Sequence, residues 1–234
     1  MRKTIVLAGG LLASSLVLTG CGLANLVGAK ADNREVNEYT VTDKVAKLRL
    51  SSGSGDTEIR EGDAAAIKIV ETLLWNSDKP KAEHKVEGDA LAVTYDCPSA
   101  MDNCSVDYKI EVPKGLALEL ETGSGDIALV GVTGAIKADV GSGDLTGTRL
   151  GGEQVSVETG SGDASLAYAS APKLVDMVVG SGNASIELPE GPYAVDAKTS
   201  SGDKTVSVKT DPAAANKVTV RAGSGDVSVL PAQG

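Results

Sequence analysis

The sequence predicts an all-β protein: a β-solenoid of about 20-residue repeats, led by an N-terminal antiparallel β cap. Three observations predict it: a tetrapeptide recurring at near-constant spacing, strict apolar–polar alternation in register with it, and a shortage of aromatic residues. Gly-Ser-Gly-Asp, or a one-letter variant, begins at Gly53, Gly123, Gly141, Gly160, Gly180, Ser200 and Gly223. After a gap of 70 residues the intervals run 18, 19, 20, 20 and 23. A period of this kind marks stacked supersecondary units.

The flanks keep register. Of the 21 positions lying five, three and one before each tetrapeptide, 17 are apolar and the rest Ser or Thr, as in Leu118, Leu120, Thr122 and Val175, Met177, Val179. Of the 14 positions between them, only Val178 is apolar. Period-two alternation of this kind describes a strand with one dry and one wet face. A second strand follows each corner, its inward candidates being Ile127 and Leu129, Ala164 and Leu166, Ala184 and Ile186, Val206 and Val208, and Val227 and Val229. Gly-, Pro- and Ala-rich returns at 130–134, 147–152, 169–172, 189–192 and 211–215 punctuate the repeats. With 3% aromatics and no Phe, the interior is built from Val, Leu, Ile and Ala, which suits narrow coils. A sandwich of sequential hairpins is the alternative, because two strands and two turns also fill such a period. The constant register of the inward slots favours the solenoid.

In chain order, residues 1–20 read as a secretory signal, with Arg2 and Lys3 ahead of an apolar run. Leu18-Thr19-Gly20-Cys21 resembles a bacterial lipoprotein cleavage site, with Cys21 as the acylated first residue of the mature chain; the bland alternative is an ordinary signal with a coincidental cysteine. Two acyl chains, at about 0.8 kcal/mol per buried CH₂, anchor a protein to a membrane without spanning it. Residues 21–38 read as lipidated cysteine and tether. Residues 39–115 read as the antiparallel β region, with strands at 46–50, 57–60, 67–75, 84–95 and 105–112. Residues 116–234 form the regular repeats, and the cap blunts one end of the stack against edge-to-edge addition.

Cys97 and Cys104 flank a turn-rich loop. Outside the cytosol such a pair is most simply a disulfide, and closing the loop contributes roughly 2.5 kcal/mol. Their spacing does not suit zinc, and His84 is the only histidine. Losing Arg2 and Lys3 with the signal moves the formal charge from −10 to −12. So acidic a chain has no footprint for nucleic acid and is repelled by anionic lipid, which argues for a covalent tether.

The run Tyr108-Lys-Ile-Glu-Val-Pro-Lys-Gly115, then Leu116-Ala-Leu-Glu-Leu-Glu-Thr-Gly-Ser-Gly-Asp-Ile-Ala-Leu129 and the recurring Ser-Gly-Asp corners, resembles the bacterial putative-adhesin family of β-strand-repeat proteins, whose function is unknown. The resemblance spans about 41–231. It implies an extracytoplasmic, commonly membrane-anchored repeat protein and no catalytic residues. Asn183 in place of Asp and Ser200 in place of Gly are departures.

The corners have two readings. Gly permits positive φ while Ser and Asp bond nearby backbone amides. Alternatively, Asp126, Asp144, Asp163, Asp203 and Asp226 stack as a ladder of Ca²⁺ ligands at about 4.8 Å per rung. Unit charges at that distance repel by about 0.9 kcal/mol in water and about 3.5 at an effective dielectric of 20. Only partly buried carboxylates would therefore call for a cation, and the turn reading is preferred. Gly141-Ser-Gly143-Asp-Leu-Thr-Gly147 does not fit the dinucleotide fingerprint, and no helix pattern follows. His84, in a polar stretch, reads as a solvated hairpin histidine; it is the only base a Ser-His-Asp triad could have. Trp75 is either a sugar-stacking platform or a core residue. Carboxylates such as Glu119 and Glu121 are too many to select a catalytic pair.

The expected function is that of a lipid-anchored, non-enzymatic, extracytoplasmic surface protein without cofactor, contacting cell-wall glycan or a surface protein. The alternatives are a polysaccharide-acting enzyme and an accessory in envelope-stress signalling.

Overall fold

The computed structural model describes residues 31–98 and 103–232. Among them every regular element is a strand. The chain opens with β1 (Asn33–Val41), then β2 (Lys47–Ser54) and β3 (Thr57–Gly62) around the first corner, and continues through β4 (Ile67–Trp75), β5 (Lys81–Glu87), β6 (Ala90–Asp96) and β7 (Cys104–Pro113). Strand–corner–strand pairs follow: β8 (Ala117–Ser124) with β9 (Ile127–Val130), β10 (Ile136–Ser142) with β11 (Leu145–Leu150), and β12 (Gln154–Ser161) with β13 (Ala164–Tyr168). The last are β14 (Leu174–Ser181) with β15 (Ala184–Leu188), β16 (Ala194–Ser201) with β17 (Lys204–Val206), and β18 (Lys217–Ser224) with β19 (Val227–Pro231).

Two sheets result. The first runs β1-β4-β7-β3-β9-β11-β13-β15-β19-β17 and the second β16-β18-β14-β12-β10-β8-β2-β6-β5. Each corner passes the chain from the second sheet to the first, so successive pairs lie side by side in parallel: Ile136 faces Leu118 and Val155, and Leu145 faces Ile127 and Ala164. Among the described residues only β1–β4, β4–β7 and β5–β6 pair antiparallel.

The order of pairs departs from chain order at both ends. β2 and β3 lie between the β6–β7 and β8–β9 layers, which is how a corner 70 residues upstream stacks directly against the second, Ser54 opposite Ser124. At the other end β18 and β19 insert between β14–β15 and β16–β17. The chain thus overshoots to the outermost layer and returns to fill the one beneath.

The core lies between the sheets. All the inward slots ahead of the corners are buried except Val195 and Thr199, both in the outermost layer. Met177, Val179, Ile186 and Val220 have no exposed surface at all.

Several boundaries differ from the sequence expectation. β1 begins inside the segment read as tether, because its inward-facing Tyr39 and Val41 pack on the core. The single strand expected over 84–95 is a hairpin of β5 and β6, turned at Gly88 (φ 64°). β5 starts at Lys81, in the stretch left between the expected strands at 67–75 and 84–95.

Candidate functional site

The corners form a single column. Within each, the second glycine has positive φ, as at Gly143 (132°), letting the chain turn between sheets. Backbone bonds then run from layer to layer: Gly125 N donates to Ser142 O at 3.0 Å and Ile127 N to Asp144 O at 2.8 Å, and the pattern repeats along the stack.

The aspartates add a second chain of bonds. Asp126 Oδ1 accepts from Asp144 N, Asp144 Oδ1 from Asp163 N, Asp163 Oδ1 from Asn183 N, Asn183 Oδ1 from Asp226 N, and Asp226 Oδ1 from Asp203 N, all within 2.7–2.9 Å. Toward the N-terminal end, Asp56 Oδ1 accepts from Asp126 N and Asp107 Oδ1 from Asp56 N, each at 3.1 Å. Asp at the corner therefore bonds a nearby backbone amide, as the turn reading expected, and that amide lies one layer away. The five aspartates named as Ca²⁺ candidates do share this column, with Asp226 seated between Asn183 and Asp203. Each of Asp126, Asp144, Asp163 and Asp226 has Oδ1 committed to an N–H, and among the described residues no group of three or more His, Cys, Asp or Glu is set to hold a metal ion. Asn183 fits the column because its oxygen accepts as Asp does while its amide Nδ2 donates to Asp163 Oδ2 at 3.4 Å. It puts one neutral rung in a run of like charges.

Two residues outside the repeats close the column. The Tyr95 hydroxyl donates to the Ser54 carbonyl and accepts from the Ser54 amide, standing in for a further corner peptide. Asp107 supplies the first carboxylate. Burial pushes its carboxyl above the usual range, opposed by the N–H of Asp56. The folded state therefore holds that proton more tightly than the unfolded chain, and stability from this group falls as pH rises through the carboxylate range. Asp107→Asn keeps an acceptor for Asp56 N and removes the penalised charge. The variant is expected to melt higher than the parent at pH 7, with the gap closing by pH 3; a lower melting point at pH 7 would refute this.

A polar cluster sits at the antiparallel end. Glu71 occupies an inward slot of β4, 7% exposed, and accepts from Asn37 Nδ2 at 3.1 Å and Tyr39 Oη at 3.4 Å. Burial first, then the Glu71 charge, push the Tyr39 phenol far above its ordinary range. Tyr39 stacks on His84 at 3.9 Å between centroids. His84, expected as a merely solvated hairpin residue, is exposed but joins the two sheets through this stack. Trp75 packs against the core, with Lys79 Nζ 5.8 Å from its ring centroid. Cys97 and Cys104 form the expected disulfide, Cα atoms 6.0 Å apart. Cys21 and residues 1–20, read from the sequence as a signal, lie outside the described residues.

A family model, Toastrack DUF4097, matches residues 45–230. The chain belongs to that family. The match begins just ahead of β2 and ends within β19, so it takes in every rung of the column and leaves β1 out. The resemblance to putative adhesins drawn from the corners is borne out with it. A solved structure of a putative cell adhesion protein from Clostridium sporogenes aligns with this Toastrack chain at TM-score 0.51 and 15% identity, over 85% of this chain and 99% of that one. Putative adhesins from Bacteroides fragilis (TM-score 0.36, 11% identity, 86% of this chain and 99% of that) and Parabacteroides merdae (0.32, 9%, 83% and 96%) are more distant. At 15% identity the likeness to the Clostridium structure is one of fold alone. No curated protein matches the chain.

Proposed function

We propose that the protein is a non-enzymatic surface module, held to the membrane by lipid on Cys21, in which a β-solenoid with an antiparallel cap presents a flat face to an envelope glycan. The observation that carries this reading is the outer face of the first sheet. Thr146, Ser165, Ser185, Ser228 and Thr205 stand in register on neighbouring strands, with Ser228 and Ser185 Oγ atoms 3.0 Å apart. Hydroxyls both donate and accept, so a straight row of them at about 4.8 Å spacing matches a polymer that carries hydroxyls along its length. The opposite outer face, with Arg49, Glu119, Lys137, Asp139 and Glu158, is strongly charged and suits water. Cell-wall polysaccharide is expected to bring down the full chain from detergent solution without releasing reducing ends, and the double variant Ser165→Lys, Ser185→Lys is expected to weaken capture at least tenfold. Sugar release, or capture indifferent to the variant, would refute the reading.

A further inference from the structure

The two ends of the stack are finished differently. At one end β1, β4 and β5 lie antiparallel over the parallel layers, and β5 lines the edge with Lys81, Glu83, Lys85 and Glu87, the kind of charged strand that blunts an edge. At the other end β16 and β17 are the last strands among the described residues. Val195 and Val206 are only partly buried there, while their counterparts Val218 and Val229 in the layer beneath have no exposed surface.

The chain itself shows what this edge accepts. Tyr193 N donates to Lys209 O at 3.0 Å and Asp211 N to Tyr193 O at 2.9 Å, a parallel bridge between Tyr193 and Thr210. The neighbouring Ala194 N points the other way, donating to Asn216 O at 2.8 Å on the β18 side. Strand alternation then directs the N–H and C=O groups of Val195, Ala197 and Thr199 outward at the open end. The added segment stops after one bridge because the next two groups in register are taken within a turn, Asp211 O by Ala214 N at 3.0 Å and Ala213 N by Asp211 Oδ1 at 2.9 Å. Beyond it lies a cavity of about 610 Å³, lined by Tyr193, Val195, Ala197, Lys204, Val206 and Pro212 among others.

We propose that the open edge of β16, along Val195–Thr199, binds an extended segment of a partner protein as an added parallel strand, with its alternate apolar side chains filling this cavity. Backbone pairing supplies affinity and the cavity supplies side-chain selection, as in other strand-addition sites. A segment that also turned the corner would bring an N–H to the Asp203 carboxylate, which accepts none among the described residues. The second copy's antiparallel end does not offer a parallel layer, which favours a different chain as the occupant. One strand covers less than a standard interface, so the affinity is expected to be micromolar.

The probe is a labelled peptide of residues 217–230, the sequence that pairs with β16 and β17 from beneath. With the full chain in detergent micelles, fluorescence anisotropy is expected to show saturable binding, and hydrogen exchange to slow within 194–206. Ala197→Pro removes one outward donor and is expected to weaken binding at least tenfold. A peptide N-methylated on the residues facing β16 is expected to fail and one methylated on alternate residues to bind, a comparison that leaves the protein unaltered. No saturation by about 1 mM, slowed exchange elsewhere, or equal binding of the two methylated peptides would overturn the proposal. So would a dimer in sedimentation that Ala197→Pro disperses, which would assign the edge to a second copy.

Discussion

Deleting residues 217–234 is expected to disrupt the far end of the stack instead of trimming a terminal layer. The eighteen residues removed contain β18 and β19, which lie between β14–β15 and β16–β17. Val218, Val220, Ala222, Val227 and Val229 are each at most 5% exposed. At roughly 1.5–2 kcal/mol per buried side chain their loss is on the order of 8 kcal/mol, comparable with the whole stability of an ordinary domain, about 5–15 kcal/mol. The deletion also strips β16 and β17 of the sheet neighbours they have among the described residues and uncovers Val175, Met177 and Ile186 beneath. Hydrogen exchange of the truncated chain is expected to show 194–206 fully unprotected. A stack ordered as the sequence is ordered would keep β16 against β14, so persistent protection at 195–199 would sink the prediction.

The strands of the repeats and the face each residue takes were legible because alternation is local: Val155, Val157 and Val175 are inward whatever lies beside them. Layer order was not, since identical corners in identical register let any two layers pair equally well. The signals were the two unequal intervals, 70 and 23, each marking a place where the chain leaves the stack and returns. Glu71 was legible in principle, standing in the inward row with Ile67, Ile69 and Leu73. Its partners Asn37 and Tyr39 come from a strand that the polar start of β1 disguised as tether. The aspartates were visible as a column, and so was their bonding to backbone amides; which amide each one serves was not. A side chain that serves the amide of the next layer leaves no mark within its own turn, and Asp107 has no glycine beside it to mark it as the first rung.

The column also sets the cost of altering a corner. Gly143→Ala is expected to destabilise the protein by on the order of 3–5 kcal/mol, and Gly131→Ala by about 1 kcal/mol, although both glycines have positive φ, 132° and 70°. At Gly131 nothing lies within 4 Å of an added Cβ, so only the backbone conformation is penalised. At Gly143 the Cβ would strike the carbonyl oxygen of Gly125 in the adjacent layer. That oxygen belongs to backbone fixed by bonds on both sides, such as Ser142 O to Gly125 N, so it cannot turn away as a side-chain tip would. Relief requires the layers to part, stretching the Asp144 N to Asp126 Oδ1 bond of 2.8 Å as well. For a unit of this size the losses correspond to melting points lower by roughly 10 °C and 3 °C. Denaturant titration of the two variants tests the contrast directly. Equal losses would mean that the second glycine of each corner is needed for its φ alone, and that the corners stack without the tight backbone contact that makes them a column.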